Sequence, residues 1–247
     1  HGNRASTSKS GSADVLEALG IQLDMPIKSV AACARQVGIT FLFAMTFHPS
    51  MRFVGPTRKM LGIPTAFNYL GPMTNPARVS SSAIGVANPQ MVEKMAWVFA
   101  NRGDHALVFR GDDGLDELTI ATTSQIWEAS GGTLQKYVFN PEGYGIERSS
   151  LDNLRGGDAE YNASVFRAVL AGEGESAKDS LHAIRNAVLI NAAAGLIAYR
   201  KNDGRSFEER YTEALADARQ SIDTGAAAQV LNAWVEFSHL VVETPSP

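Results

Sequence analysis

Ser82-Ala83-Ile84-Gly85-Val86-Ala87, an Asn88-Pro89 turn, Gln90 to Ala100, and then Ala106-Leu107-Val108-Phe109 decide the fold class. The two short runs are small or apolar at nearly every position, which suits strands covered on both faces, and the segment between them has helical spacing. Strand, helix, strand is the rhythm of a parallel sheet in an α/β fold. The second strand opens onto Arg110-Gly111-Asp112-Asp113-Gly114-Leu115-Asp116-Glu117-Leu118. An acidic loop there lies at a strand's carboxyl end, where open α/β sheets hold their ligands.

Upstream, Ile39 to Ala44 reads as another buried strand, followed by His48-Pro49-Ser50. Helices are expected from Ala13 to Leu19, ended by Gly20, and from Pro26 to a stop at Gly38. Pro49 to Leu61 reads as a helix broken or kinked at Gly55-Pro56. Ile63 to Pro76 holds three prolines and reads as a fixed, irregular turn. Downstream, Ile120 to Trp127 and Thr133 to Phe139 alternate loosely and flank Gly131-Gly132, as an antiparallel pair would. Four helices close the chain, over 159–170, 180–200, 207–221 and 225–240. With no repeat and no low-complexity linker, the expectation is a single α/β domain, residues 1–247, with a central, mostly parallel sheet flanked by helices.

Composition narrows the class further. The 247 residues are 45% hydrophobic and 19% charged, ordinary values for a soluble globular protein with a sizeable core. A net charge of −4 without a basic tract argues against coating nucleic acid. The single cysteine, Cys33, excludes an intrachain disulfide and suits a reducing compartment. No apolar run is long enough to span a bilayer. A soluble, cytoplasmic domain is expected, with no membrane and no nucleic-acid partner.

The first residues carry the densest chemistry. His1-Gly2-Asn3-Arg4-Ala5-Ser6-Thr7-Ser8-Lys9-Ser10-Gly11-Ser12-Ala13-Asp14 supplies hydroxyl, amide and cationic donors, then enters a helix near Ser10 to Ser12. Free N–H groups at a helix start favour an anion, and phosphate is the obvious one. On composition alone, a polar start with an ordinary Ser-capped helix behind it is the commoner outcome. The chain opens on this loop without a Met, so further sequence upstream is expected. Asp112, Asp113, Asp116 and Glu117 offer oxygen ligands of the kind Mg²⁺ accepts alongside phosphate and water; a solvated acidic turn is the plain alternative. Arg58 beside Lys59 suits a carboxylate, Arg making a bidentate fork, or is simply an exposed pair. His1 and His48 are candidate donors or acid–base groups. Zinc, Rossmann and Ser-hydrolase signatures are absent.

Several segments together resemble the anthranilate phosphoribosyltransferases: His1 to Arg4 with Ser10 to Gly20, Phe47 to Arg52, Val54 to Gly62, Phe67 to Pro76, Gly111 to Glu117, and Asp223 to Ala227. The resemblance implies the nucleoside-phosphorylase/phosphoribosyltransferase-like C-terminal domain, without the family's N-terminal helical domain and glycine-rich phosphate loop. It implies transfer of a phosphoribosyl group from 5-phosphoribosyl diphosphate to anthranilate, with Mg²⁺, and a homodimer of the full-length protein. By resemblance, His1, Gly2, Asn3, Arg4, Ala5, Ser6, Thr7, Ser8 and Ser12 contact 5-phosphoribosyl diphosphate. Asn3 and Arg58 contact anthranilate, and Asp116 with Glu117 bind Mg²⁺. No residue is assigned as catalytic, because an aromatic amine is already neutral at pH 7. A nucleoside phosphorylase or nucleic-acid-binding relative of the same fold, and an inactive truncated domain, are the alternatives.

Overall fold

The computed structural model describes residues 1–5, 9–63, 65–177, 179–200 and 202–240. In chain order the elements are α1 (Ser12–Ala18), α2 (Ile27–Gln36), α3 (Ala44–Phe47), α4 (Met51–Leu61) and α5 (Phe67–Met73). Then follow β1 (Ser81–Gly85), α6 (Pro89–Arg102), β2 (His105–Gly111), β3 (Ser124–Ser130) and β4 (Thr133–Phe139). The last four helices are α7 (Ala159–Leu170), α8 (His182–Arg200), α9 (Phe207–Asp223) and α10 (Ala226–Leu240). They form two compact units, one of His1–Gly71, Gly156–Gly172 and Ile222–Pro247, the other of Pro72–Arg155 and Glu173–Ser221. No helix among the described residues is long and apolar enough to cross a membrane.

The first unit is helical. Its core gathers Ala13, Leu19, Ile21, Leu23, Cys33, Phe43, Ala163, Leu231 and Trp234, so α1, α2, α7 and α10 bury their apolar stripes together. Cys33 is a free, buried thiol. Ile39 to Ala44 does not form a strand. Gly2 alone pairs with Phe43, through Gly2 N–H to the Leu42 carbonyl (3.2 Å) and Ala44 N–H to the Gly2 carbonyl (2.8 Å), and the chain then turns into α3. An apolar run becomes a strand only where a neighbour offers a ladder, and here the ladder is one bridge long. Two proline-containing stretches are helical, the first as expected and the second in place of the expected irregular turn. α4 runs through Gly55-Pro56, and α5 occupies the middle of the Ile63–Pro76 segment.

The second unit holds a four-stranded sheet in the order β1-β2-β3-β4. β1 and β2 are parallel, with Ser81 opposite His105 and Gly85 opposite Phe109, and α6 is their crossover. β2–β3 and β3–β4 are antiparallel, which corrects the mostly parallel sheet expected from the sequence. The reason lies in the connections. A parallel return needs a crossover of a dozen or more residues, usually helical, whereas β3 reaches β4 by a tight turn at Gly131 (φ 56°) and Gly132 (φ 78°). The β2–β3 connection is a loop without a helix. His105 to Phe109 are all buried, so both faces of β2 are covered, and α6 and α8 both pack on it.

A buried ionic network ties β2, β3 and α9 together. Glu128, 1% exposed, accepts from Arg210 through both oxygens at 2.8 Å. It also accepts from His105 Nε2 at 3.0 Å, while His105 Nδ1 faces the Ala198 carbonyl at 2.5 Å. Tyr211, next along α9, donates to the Ile190 carbonyl at 2.6 Å. Burial alone would raise the Glu128 pKa, but the bonds from His105 and Arg210 outweigh it and hold the carboxyl at about 2, against an ordinary 4.5. Removing one member strands a buried charge, so Glu128→Ala is expected to lose about 3–5 kcal/mol in urea unfolding at pH 7. Because the folded-state pKa is depressed, this stabilisation is complete above about pH 4.5 and disappears as pH falls toward 2. Wild type should therefore lose stability more steeply than Glu128→Gln across that window, as read by thermal unfolding at successive pH values.

Candidate active site

The loop after β2 is sorted by its neighbours. Asp112 accepts from Thr123 Oγ1 (2.5 Å) and from Gln125 Nε2 (3.1 Å). Asp113 accepts from Thr119 Oγ1 (2.6 Å) and the Leu115 N–H (3.1 Å). Both are thereby spent on holding the loop. Arg110 clamps its base, donating to the carbonyls of Ala87 (2.7 Å) and Gly111 (2.9 Å). Asn191 of α8 clamps its far end, accepting from the Leu118 N–H and donating to the Leu118 carbonyl, both at 3.0 Å.

Between those clamps stand Asp116 and Glu117, whose carboxylates carry no hydrogen bond or ion pair to the described residues. Although Glu117 retains solvent-accessible surface, partial burial of its carboxyl, then repulsion from Asp116, pushes its pKa up to about 7. Two adjacent, unneutralised carboxylates are a donor set that a hard divalent cation stabilises. Among the described residues no group of three or more His, Cys, Asp or Glu could hold a metal by itself. The pair therefore fits Mg²⁺, which takes one or two carboxylates and fills the rest of its shell with phosphate oxygens and water.

Gly85 explains how the loop reaches that position. At the end of β1 its Cα faces the Asp116 backbone, and an added Cβ would coincide with the Asp116 carbonyl oxygen. Only glycine allows that approach.

In the first unit the sequence-predicted residues His1, Gly2, Asn3, Arg4, Ala5 and Ser12 come together at the start of α1. Ser6, Thr7 and Ser8 lie outside the described residues. The bridge from Gly2 to Phe43 fixes the backbone, and a Cβ on Gly2 would lie 3.0 Å from Ser12 Oγ. His1 packs edge-on against His48, with their Nε2 atoms 3.0 Å apart, so one ring donates to the other. Asn3 Oδ1 accepts the Arg4 N–H at 2.9 Å. The Arg4 guanidinium is committed to Glu17, at 3.0 and 2.6 Å, and lies 4.8 Å from the centre of the Phe43 ring. Arg58 sits on α4 of the same unit, half-buried, 5.8 Å from the centre of the Phe67 ring and without an ion pair among the described residues.

Asp14 escaped the sequence reading. Its Oδ2 accepts from both the Ala5 N–H (2.8 Å) and the Gly11 N–H (2.7 Å). Gly11 is the N-cap of α1 and Asp14 its third residue, so the second bond is the backbone half of a capping box, legible from the spacing. The first bond has no such signature.

Residues 1–228 match the model of the glycosyl transferase family, a/b domain. The anthranilate phosphoribosyltransferase of Arthrobacter sp. (strain FB24) is 53% identical over 96% of this chain and 66% of its own length. That of Nocardia farcinica is 47% identical over 97% of this chain and 69% of its own. The chain belongs to the anthranilate phosphoribosyltransferase family. Structures of that family agree. The Thermus thermophilus enzyme superposes with a TM-score of 0.84 at 38% identity, over 97% of this chain and 68% of that one. The Saccharomyces cerevisiae anthranilate phosphoribosyltransferase, in complex with 5-phosphoribosyl diphosphate and Mg, gives 0.85 at 27% identity, over 97% and 64%. The chain spans about two thirds of the length of the curated anthranilate phosphoribosyltransferases it matches.

The close approach at Gly85 yields a stability test. Gly85→Ala forces backbone against a new Cβ and is expected to cost about 1–3 kcal/mol in urea unfolding. Gly143→Ala meets nothing within 4 Å. It should change stability by less than about 0.5 kcal/mol, as a substitution clear of such features does.

Proposed function

We propose that the chain is the catalytic α/β domain of an enzyme joining anthranilate to 5-phosphoribosyl diphosphate. The products are N-(5-phosphoribosyl)anthranilate and diphosphate, in tryptophan biosynthesis. The observation that carries the reading is the sorting of the acidic loop, which commits Asp112 and Asp113 and leaves Asp116 and Glu117 available. Membership of the family supports it, as do the yeast relative's complexes with 5-phosphoribosyl diphosphate and Mg and with 4-fluoroanthranilate.

On this reading His1 to Ser8 and Ser12 hold the diphosphate sugar, Asn3 and Arg58 hold anthranilate, and Asp116 with Glu117 hold Mg²⁺. Mg²⁺ supplies neutralisation of the charge that develops on departing diphosphate. The amine nucleophile is uncharged at pH 7 and needs no strong base. The protein's task is therefore to fix the donors around the phosphates and to hold the amine against the anomeric carbon. Arg58 suits the second task. Its guanidinium lies near Phe67 and pairs with no carboxylate among the described residues, so it can fork onto anthranilate's carboxylate. The Arg4 guanidinium, spent on Glu17, acts instead by fixing the loop's entry. We place the enzyme in the cytoplasm, as a homodimer.

Turnover is followed by the loss of anthranilate fluorescence with 5-phosphoribosyl diphosphate and Mg²⁺, and binding by calorimetry on the same preparation. Diphosphate-sugar binding should vanish with EDTA and in the Asp116→Asn, Glu117→Gln double variant; unchanged binding in that variant would overturn the metal assignment. Arg58→Ala should weaken anthranilate about 10- to 100-fold, the worth of one charge-assisted bond, and leave 5-phosphoribosyl diphosphate nearly unaffected. Equal weakening of both would refute the role given to Arg58.

A further inference from the structure

We propose that Asp14 is a positioning residue for the diphosphate-sugar loop, acting by pinning both ends of the Ala5–Gly11 segment to one carboxylate oxygen. The proposal rests on the reading above that this loop receives 5-phosphoribosyl diphosphate. Its evidence lies in the loop itself.

Oδ2 of Asp14 takes the Ala5 N–H at 2.8 Å and the Gly11 N–H at 2.7 Å. The Gly11 bond is what any acidic residue at the third helical position does for its N-cap. The Ala5 bond reaches nine residues back and closes no helix end. It becomes possible because Gly11 lies against the incoming chain, where a Cβ would sit 2.6 Å from the Ala5 nitrogen and 2.9 Å from the Arg4 carbonyl carbon. Neighbouring anchors work to the same end. Glu17 holds Arg4, and Asn162 of α7 donates to Ser10 Oγ at 2.7 Å while accepting the Gly157 N–H at 2.9 Å. Asp14 itself rides on α1, whose Ala13 is wholly buried in the core, so the pinning point is rigid.

A negative charge beside a phosphate loop is unhelpful electrostatically; the two accepted bonds, and secondarily the Arg4 guanidinium, stabilise it. An amide oxygen would serve as well. Asp14→Asn keeps an acceptor of the same shape, and Asp14→Ala removes it. The two variants therefore separate pinning from charge, and binding separates both from mere folding.

The test is calorimetric titration of 5-phosphoribosyl diphosphate with Mg²⁺ into the 247-residue chain, well below its melting temperature, with amide hydrogen exchange at Ala5 and Gly11. Asp14→Ala should bind about tenfold more weakly and exchange both amides about tenfold faster, the loss of one net hydrogen bond, while Asp14→Asn stays within about threefold of wild type. If Asp14→Ala does not fold, Asp14→Ser takes its place, its short hydroxyl reaching one amide and not both, with the same weakening expected. Wild-type affinity in the alanine or serine variant, or an equal loss in Asp14→Asn, overturns the proposal while leaving the loop's ligand intact. A wild-type chain that binds no 5-phosphoribosyl diphosphate overturns the reading of the loop, and the proposal with it.

Discussion

A carboxylate with 1% of its surface exposed exists in a folded protein only if its charge is answered on every side, and Glu128 is answered by Arg210 and His105. The second unit is arranged around that requirement. Glu128 lies on β3, His105 at the start of β2 and Arg210 on α9, so the ion pair fixes the register between two strands and seats a helix on them. Such a pair adds little net stability over an apolar substitute of the same shape, yet its geometry admits one arrangement only. Any slip of β3 against β2 would turn Glu128 away from its partners and bury an unanswered charge.

The registered strands then decide where the acidic loop leaves the sheet. β2 ends at Gly111 and β3 begins at Ser124, with Gly111 opposite Ser124. That pairing delivers Thr123 and Gln125 to Asp112, while Thr119 serves Asp113. Two of the four acidic groups are consumed in making the loop's shape. The other two are held out by the clamps of Arg110 and Asn191 and by the contact at Gly85. The raised pKa of Glu117 comes first from burial of its carboxyl and then from Asp116, and no hydrogen bond or ion pair from the described residues offsets either.

How much of this the amino-acid order discloses depends on whether a feature is local. The β1–α6–β2 unit, the Gly131-Gly132 turn and the four C-terminal helices are readable because periodicity and turn chemistry act within a few residues. The direction of β3 is not local. It depends on the β2–β3 connection forming no helix, and a string of loop residues does not announce that. Ile39 to Ala44 misleads for the same reason, since apolar content suits burial of either kind and only the single partner at Gly2 decides the outcome. In the acidic loop the residue types are plain, but which two carboxylates remain available depends on where Thr119, Thr123 and Gln125 fall.

The same division explains why Asp14 is hard to see. Its bond to Gly11 follows from spacing, whereas its bond to Ala5 exists only because the chain doubles back on itself at a residue without a side chain. On the proposed reading, the loop must present donors to phosphate without letting them collapse onto acceptors of its own. Gathering the Ala5 and Gly11 amides onto one internal carboxylate satisfies both within the protein. The carboxylate's charge is the cost of that arrangement, and it is confined to the side of the loop facing α1, where two N–H dipoles already answer it.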